Sequence, residues 1–338
     1  MQYGDLKRST NNGTSWTDIT VPGQPGPWAA PCHLHPRRHD IMVVLYKDAR
    51  VSKDIVTAGV PAFSNITTGE TTDGSAIRFS NVNDSLVFLG WEDGVFRQAN
   101  ILASPMTVTT MTNPNGGSRV SDIETSFNNE NVVYCTSGNR VYKSTNRGTS
   151  WTNISGTLPD IPMHSLVLDK NSPEGLYVGS DAGVYYKDSL MANWVFYNTG
   201  MAVGSEIRDL EIVYDTICTD RSVIYAATYG RGLWKGDLRI SETQPTPNFT
   251  IPATSCATLP VNITNTTVTG SNGAPIAYEW IITPATFTYA GATNSNSQNP
   301  IVVFNAIGNY SITLKATKPY GGFCVISKPN IINIGSKG

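Results

Sequence analysis

Two stretches of the chain carry the same charged pattern. Arg119, Asp122 and Glu124 lie close together, and Arg208, Asp209 and Glu211 repeat the grouping. His164 and Ser165 stand at a comparable place between them. Paired carboxyl groups suit acid–base work, and glycoside hydrolysis needs two of them about 5–9.5 Å apart across the bond. Asp122, Glu124, Asp209 and Glu211 are therefore the candidate catalytic groups, and Arg119, His164 and Arg208 the candidate binding groups. The competing reading is that these charges form salt bridges between neighbouring blades or face solvent.

Other groupings are chemically poorer. Asp93 and Asp181 each precede a glycine in a short turn, in Gly90-Trp-Glu-Asp-Gly94 and Gly179-Ser-Asp-Ala-Gly183, and read as hairpin formers. Cys32-His-Leu-His-Pro-Arg-Arg-His-Asp40 holds residue types that ligate zinc. Here His33 and His35 alternate along a strand that Pro36 breaks, so a turn is the expected role, and no metal or other cofactor is expected. Trp28 and Trp91 are of a type that stacks on sugars or fills a core. Of the five cysteines, Cys256 and Cys324 lie near the two ends of the C-terminal segment and are expected to pair. Cys32, Cys135 and Cys218 read as buried small hydrophobes.

The elements that would position these groups are repeats. Ser9-Thr-Asn11-Asn-Gly13-Thr-Ser-Trp16 returns almost unchanged as Ser144-Thr-Asn146-Arg-Gly148-Thr-Ser-Trp151. This is the Asp-box pattern with Asn in the Asp place. The side chains of Ser and Asn hold a tight turn, Gly takes a positive φ, and Trp is expected to pack back on the hairpin. The motif is a turn fastener and not a ligand site. Around it, units of about 40 residues recur, each a set of short β-rich runs split by turn residues, which is the period of a four-stranded propeller blade. Five units are visible after a leading stub over residues 1 to about 20. The stub has the third and fourth strands of a blade and lacks the first two, so the chain is expected to be the later part of a longer propeller protein.

These units resemble the Asp-box (BNR) propellers of sialidases, xyloglucanase-type glycosidases and sortilin-like receptors, over roughly residues 1–238. Tyr225-Ala-Ala-Thr-Tyr-Gly-Arg-Gly-Leu-Trp234 is similar to the closing blade of bacterial members. The resemblance implies a fold and leaves activity open, because these families differ in what they do. A sialidase-like site would add an arginine cluster and an acid-activated tyrosine.

Residues 239–248, Arg-Ile-Ser-Glu-Thr-Gln-Pro-Thr-Pro-Asn, read as a short stiff linker. Beyond it the pattern changes. Tyr310, Ile312 and Leu314 share one face of a strand, and Ser311 and Thr313 the other. Several such strands in about 90 residues, with Trp280 as the central tryptophan, suggest an immunoglobulin-like β-sandwich over residues 249–338. This part resembles a PKD domain. The Asp-Gly-rich turn usual after the tryptophan is replaced by Ile281-Ile-Thr-Pro284, so no calcium site is carried over. The Cys pair and the Trp-Ile-Ile-Thr-Pro run resemble variants in secreted proteins of the Bacteroidetes type.

Composition limits the function classes. Among 338 residues the formal net charge is −2 and charged residues make up only 15%, so no basic field for nucleic acid exists. No apolar run approaches the roughly 18 residues of a membrane span. Residues 1–5 show neither a basic n-region nor an apolar h-region. The expected class is all-β: a propeller, five to six blades visible, plus a sandwich. The expected role is an extracellular or cell-surface binding or adhesion module that takes polysaccharide or protein, beside other domains of its full-length protein. The alternative is a fragment of a glycoside hydrolase of the sialidase or xyloglucanase kind.

Overall fold

The computed structural model describes residues 4–21, 26–56, 59–198, 200–239, 243–270, 276–319 and 321–336. Residues 1–3 of the stub, 240–242 of the expected linker and the final 337–338 lie outside them. Packing divides the chain into two compact units. One comprises Met1–Asp169, Glu174–Glu211 and Ala226–Trp234; the other comprises Lys170–Pro173, Ile212–Tyr225 and Lys235–Gly338.

The repeats fold as successive antiparallel meanders. β1 (Lys7–Arg8) and β2 (Thr17–Asp18) form a two-stranded sheet. Four-stranded sheets follow in chain order: β3 (Cys32–Leu34), β4 (Met42–Leu45), β5 (Ala49–Ser52) and β6 (Ser64–Asn65); then β7 (Gly74–Phe79), β8 (Leu86–Trp91), β9 (Phe96–Asn100) and β10 (Thr107–Thr110). Next come β11 (Val120–Thr125), β12 (Val133–Ser137), β13 (Arg140–Ser144) and β14 (Thr152–Asn153), and β15 (Met163–Asp169), β16 (Gly175–Ser180), β17 (Gly183–Lys187) and β18 (Val195–Phe196). A three-stranded sheet of β19 (Ile207–Val213), β20 (Val223–Thr228) and β21 (Gly232–Asp237) ends the series. These are the blades of a β-propeller.

Burial explains why each blade reads as it does. The second strands β8, β12 and β16 are buried along their whole length, because a sheet covers each face. They are accordingly near-continuous apolar runs. Each apolar cluster draws on two successive sheets: Val43 and Leu45 with Ile77 and Leu89, Phe88 and Phe96 with Ile123 and Val133, Tyr134 and Val141 with Leu166 and Val178. Close approach dictates glycine at Gly90 and Gly179, where a Cβ would lie 2.6 Å from Val120 and from Ile207 of the following sheet.

The two Ser-Thr-Asn turns have one hydrogen-bond pattern. Ser144 Oγ accepts from Gly148 N (2.8 Å), and Asn146 Oδ1 accepts from Ser150 N (2.9 Å); Ser9, Gly13, Asn11 and Ser15 repeat both distances. Gly13 and Gly148 have φ of 86° and 90°. The tryptophan packs back on its turn and also reaches beyond it. A Cβ at Gly148 would lie 3.3 Å from the Trp151 ring, and the same ring meets Phe96 of the preceding sheet edge-on at 5.1 Å and donates from Nε1 to Thr112 O (2.9 Å), so it ties blade to blade as well. Trp16 is 61% exposed.

The second unit contains a two-layer β structure. β22 (Phe249–Thr250), β23 (Thr254–Cys256), β24 (Pro260–Asn262), β25 (Thr264–Asn265), β26 (Ala277–Thr283), β27 (Phe287–Ala290), β28 (Ile301–Phe304), β29 (Gly308–Thr317) and β30 (Phe323–Gly335) make sheets of order β23-β30-β29-β26, β24-β28-β27 and β22-β25. Trp280, Val302, Phe304, Tyr310, Ile312 and Leu314 share one buried core, with Trp280 edge-on to Phe249 at 5.2 Å. Thr246 exchanges backbone hydrogen bonds with Val268 (2.9 and 3.0 Å), so the end of the expected linker is already paired into this unit.

The cysteine pairing corrects the expectation from sequence. Cys324 is disulfide-bonded to Cys218, and Cys256 is free. Cys256 pairs in register with Gly335 at the far end of β30. At about 3.3 Å per residue, the eleven residues back to Cys324 span roughly 35 Å, far beyond disulfide reach. Cys218 instead lies directly across from Cys324, flanked by Val325 N to Ile217 O (2.7 Å) and Phe323 N to Thr219 Oγ1 (3.0 Å). Cys135 is buried as expected, whereas Cys32 is exposed.

Candidate functional site

The first strand of each blade faces the propeller axis, and β7, β11 and β15 pack as neighbours. Their pairing registers break at the same place, between Gly74 and Ala76, Val120 and Asp122, and Met163 and Ser165. This shared bulge aligns the blades residue by residue. Ala76, Asp122, Ser165 and Asp209 occupy one position. Arg78, Glu124, Val167 and Glu211 occupy the position two residues on. His33 belongs to the second column, because His35 N, Ser80 N and Ser126 N make the same bond to the next strand.

The first column fastens blades together. Asp122 Oδ2 accepts from Leu166 N (2.8 Å) and from Ser165 Oγ (3.3 Å), and Oδ1 accepts from Ile123 N (2.8 Å). Ser165 Oγ accepts in turn from Leu210 N (3.0 Å). Asp209 Oδ1 accepts from Leu210 N (2.9 Å).

The second column carries the charge. Arg78 Nη2 lies 2.7 Å from Glu124 Oε1, and Glu124 is 2% exposed. Its Oε2 has no hydrogen-bond partner among the described residues. Burial pushes the Glu124 carboxyl up to about 8; Arg78 opposes the shift, and Asp122 and Glu211 add to it. Burial likewise raises Asp122 to about 6, against the N–H groups of Leu166 and Ile123 and the charge of Arg78. Asp209 and Glu211 remain exposed, yet partial loss of hydration also lifts them, with Arg78 pulling the other way. His33 is lowered, first by burial, with the positive Arg78 adding to the effect.

The four candidate carboxylates therefore converge on one arginine. The three candidate binding residues lie instead at the rim, each beside its own acid. Arg119 Nε is 3.4 Å from Glu92, His164 Nε2 is 2.6 Å from Asp181 Oδ1, and Arg208 pairs with Glu206. The ligating atoms of His164, Asp181 and Glu206 all lie within 4.8 Å of one another, an arrangement able to hold a cation, although Arg208 already neutralises Glu206. Arg208 also stands 5.5 Å over the ring of Tyr229, which is 71% exposed. Asp93 caps its turn by accepting from Val95 N (3.2 Å), whereas Asp181 reaches His164.

Arg78 and His33 are the members that sequence reasoning missed. The signal is their column, visible only once the bulge fixes the register. The Cys32-to-Asp40 segment is only partly the expected turn: Cys32–Leu34 is strand β3, which carries His33 into the second column, and the bend and turn positions follow at 36–37 and 39–40. His35 is buried, with Nε2 donating to Asp84 O (3.0 Å) and Nδ1 accepting from Arg38 N (2.9 Å), so both its ring nitrogens are occupied.

No protein-family model and no curated protein matches the chain. Solved structures do. The extracellular domain of a putative hybrid two-component system from B. thetaiotaomicron aligns at TM-score 0.52 and 13% identity, covering 98% of this chain and 48% of that one. An ancestral GH74 enzyme aligns at 0.50 and 14%, covering 97% and 59%. The β-propeller domain of Cps50 (Swd1) from Myceliophteria thermophila aligns at 0.53 and 9%, covering 70% and 78%. The chain thus spans about half the length of the first two. At such identities these likenesses speak to architecture, and the architecture is the β-propeller.

Proposed function

We propose that this chain is an extracellular binding module: an Asp-box propeller over residues 1–238 that presents its channel mouth to a polysaccharide, joined through residues 239–248 to a PKD-like sandwich over 249–338. The observation that carries the reading is the division of labour among the acids. Asp122, the best-placed base, has its oxygens committed to the backbone of the next blade. The groups open to solvent include Asp209 and Glu211 of the two columns and, at the rim, Arg208 over the exposed ring of Tyr229. Such a set suits stacking and hydrogen bonding to a sugar. An extracellular protein of the Bacteroidetes type fits the likeness to the B. thetaiotaomicron domain, and no helix among the described residues is long and apolar enough to cross a membrane.

A second reading, a glycoside hydrolase fragment, is favoured by one observation. Glu124 at about 8 beside Asp122 at about 6 resembles an acid and a base set apart by environment. One experiment separates the two. The protein is run through native gels cast with soluble β-glucans, xyloglucan and sialylated glycans, and the same mixtures are assayed for reducing-sugar release. Retardation without release, weakened by Tyr229→Ala, is the expected result. Release abolished by Glu124→Gln would establish the hydrolase reading instead.

A further inference from the structure

The rim of the propeller can be matched blade for blade. In four sheets the turn after the second strand donates a backbone N–H to the residue that precedes the first strand. Glu92 N bonds Asp73 O (3.1 Å), Gly138 N bonds Arg119 O (3.2 Å), Asp181 N bonds Pro162 O (3.3 Å) and Tyr229 N bonds Glu206 O (2.9 Å). Across a blade junction, the turn residue of one sheet is matched with the entry residue of the next. Glu92 and Arg119 meet in this way as an ion pair at 3.4 Å. Gly138 and Pro162 carry no charge. Asp181 and Glu206 are both acids, where the first junction sets an acid against a base.

His164 completes the set. The bulge of β15 leaves it out of register, between the pairs Met163–Ser180 and Ser165–Gly179. Its counterparts in β7 and β11 are Ser75 and Ser121. A bulge re-aims the side chain that it carries, and this one brings an imidazole to the two acids. His164 Nε2 lies 2.6 Å from Asp181 Oδ1 and 4.0 Å from Glu206 Oε1, and the three ligating atoms all fall within 4.8 Å of one another. Donors held about 2.0–2.2 Å from one ion stand roughly 3–4 Å apart, so side-chain shifts of about 1 Å close the site. His164 and Glu206 are half-buried and Asp181 is exposed, which leaves room for such shifts.

We propose that His164, Asp181 and Glu206 bind a divalent transition-metal ion of the zinc class, which fastens the fourth four-stranded sheet to the three-stranded sheet that follows it. Two carboxylates balance the charge of a dication. The imidazole selects against calcium and magnesium, which take oxygen donors. Three protein ligands leave a further position to water. Arg208 also pairs with Glu206. A carboxylate has two oxygens, so one serves Arg208 and the other the ion. Arg208 is itself half exposed and already stands 5.5 Å over the Tyr229 ring, so it can yield outward. The site does not depend on the polysaccharide reading.

The test uses the full chain without an affinity tag, stripped by a chelator, with Zn²⁺ alone as titrant. Calorimetry is expected to show one Zn²⁺ per chain, and Ca²⁺ at least about tenfold weaker. His164→Ala, Asp181→Asn and Glu206→Gln are each expected to weaken Zn²⁺ at least about tenfold, the loss that even an outer-shell partner causes. Cys32→Ser and His39→Ala, which alter the other cluster of ligand types, are expected to leave it unchanged. Saturating Zn²⁺ is expected to raise the thermal midpoint of the wild type and not of the three variants. Co²⁺ reads the donors of the unsubstituted protein: visible d–d bands are expected without a thiolate charge-transfer band. Absence of saturable binding, an unmoved wild-type midpoint or equal affinity for Ca²⁺ overturns the proposal. So does a thiolate band, full affinity in any of the three variants, or its loss in Cys32→Ser or His39→Ala.

Discussion

Glu124→Gln removes the most strongly perturbed titration in the channel. The folded protein keeps a proton on Glu124 up to about pH 8, whereas the ordinary carboxyl value is 4.5. Between those limits the folded state binds more protons than the unfolded chain. The stabilisation is full below the lower value and is lost as pH rises through the upper one. One proton's difference is worth about 1.4 kcal/mol per pH unit. Some ~2–3 kcal/mol is therefore expected to disappear between about pH 6 and about pH 8. Glutamine keeps an oxygen for Arg78 Nη2 but has no proton to lose. Asp122 titrates in both proteins and cancels in the comparison. Urea midpoints followed by tryptophan fluorescence across this range should show the variant gaining on the wild type as pH rises. Parallel curves would refute the reasoning, because Glu124 would then be ionised against Arg78 throughout.

Asp122→Ala strips the acceptor from Leu166 N and Ile123 N in a half-buried place and is expected to cost about 1–2 kcal/mol in the same denaturation assay. Asp209→Ala, exposed and bonded only to the N–H that follows it among the described contacts, is expected to stay within about 0.5 kcal/mol. Thiol titration of the unfolded, unreduced protein should count three free cysteines, Cys32, Cys135 and Cys256. Cys324→Ser is expected to destabilise the second unit by about 2–4 kcal/mol, and Cys256→Ser to leave it unchanged. Ser144→Ala, which removes the acceptor for Gly148 N, should cost about 1–2 kcal/mol, and more than Ser9→Ala, whose turn is exposed.

The blade rhythm was legible in the sequence because each second strand is squeezed between two sheets and must be apolar throughout. The turn motif was legible because its hydrogen bonds are local, within five residues. The second set of contacts that Trp151 makes was not, since Phe96 and Thr112 belong to the preceding repeat. The disulfide failed for a related reason. Proximity of Cys256 and Cys324 to the ends of a segment says nothing about register, and register puts them at opposite ends of β30. Arg78 was hidden inside Ala76-Ile-Arg-Phe79, a stretch with no acid of its own, because its counter-charge sits one blade on at Glu124.

The two columns of the channel separate positions that the fold needs from positions that it does not. In the first column, Asp122 and Ser165 each take a backbone N–H from the following blade, so a small acceptor there is part of the fold wherever it occurs. In the second, His33, Arg78, Glu124, Val167 and Glu211 have no shared bonding pattern, and neighbouring blades set their charges against one another. A residue type that varies at a fixed geometric position is free of the fold's demands. Glu124, buried with one oxygen on Arg78 and the other unpartnered among the described residues, is therefore the group whose presence the blade's construction does not require.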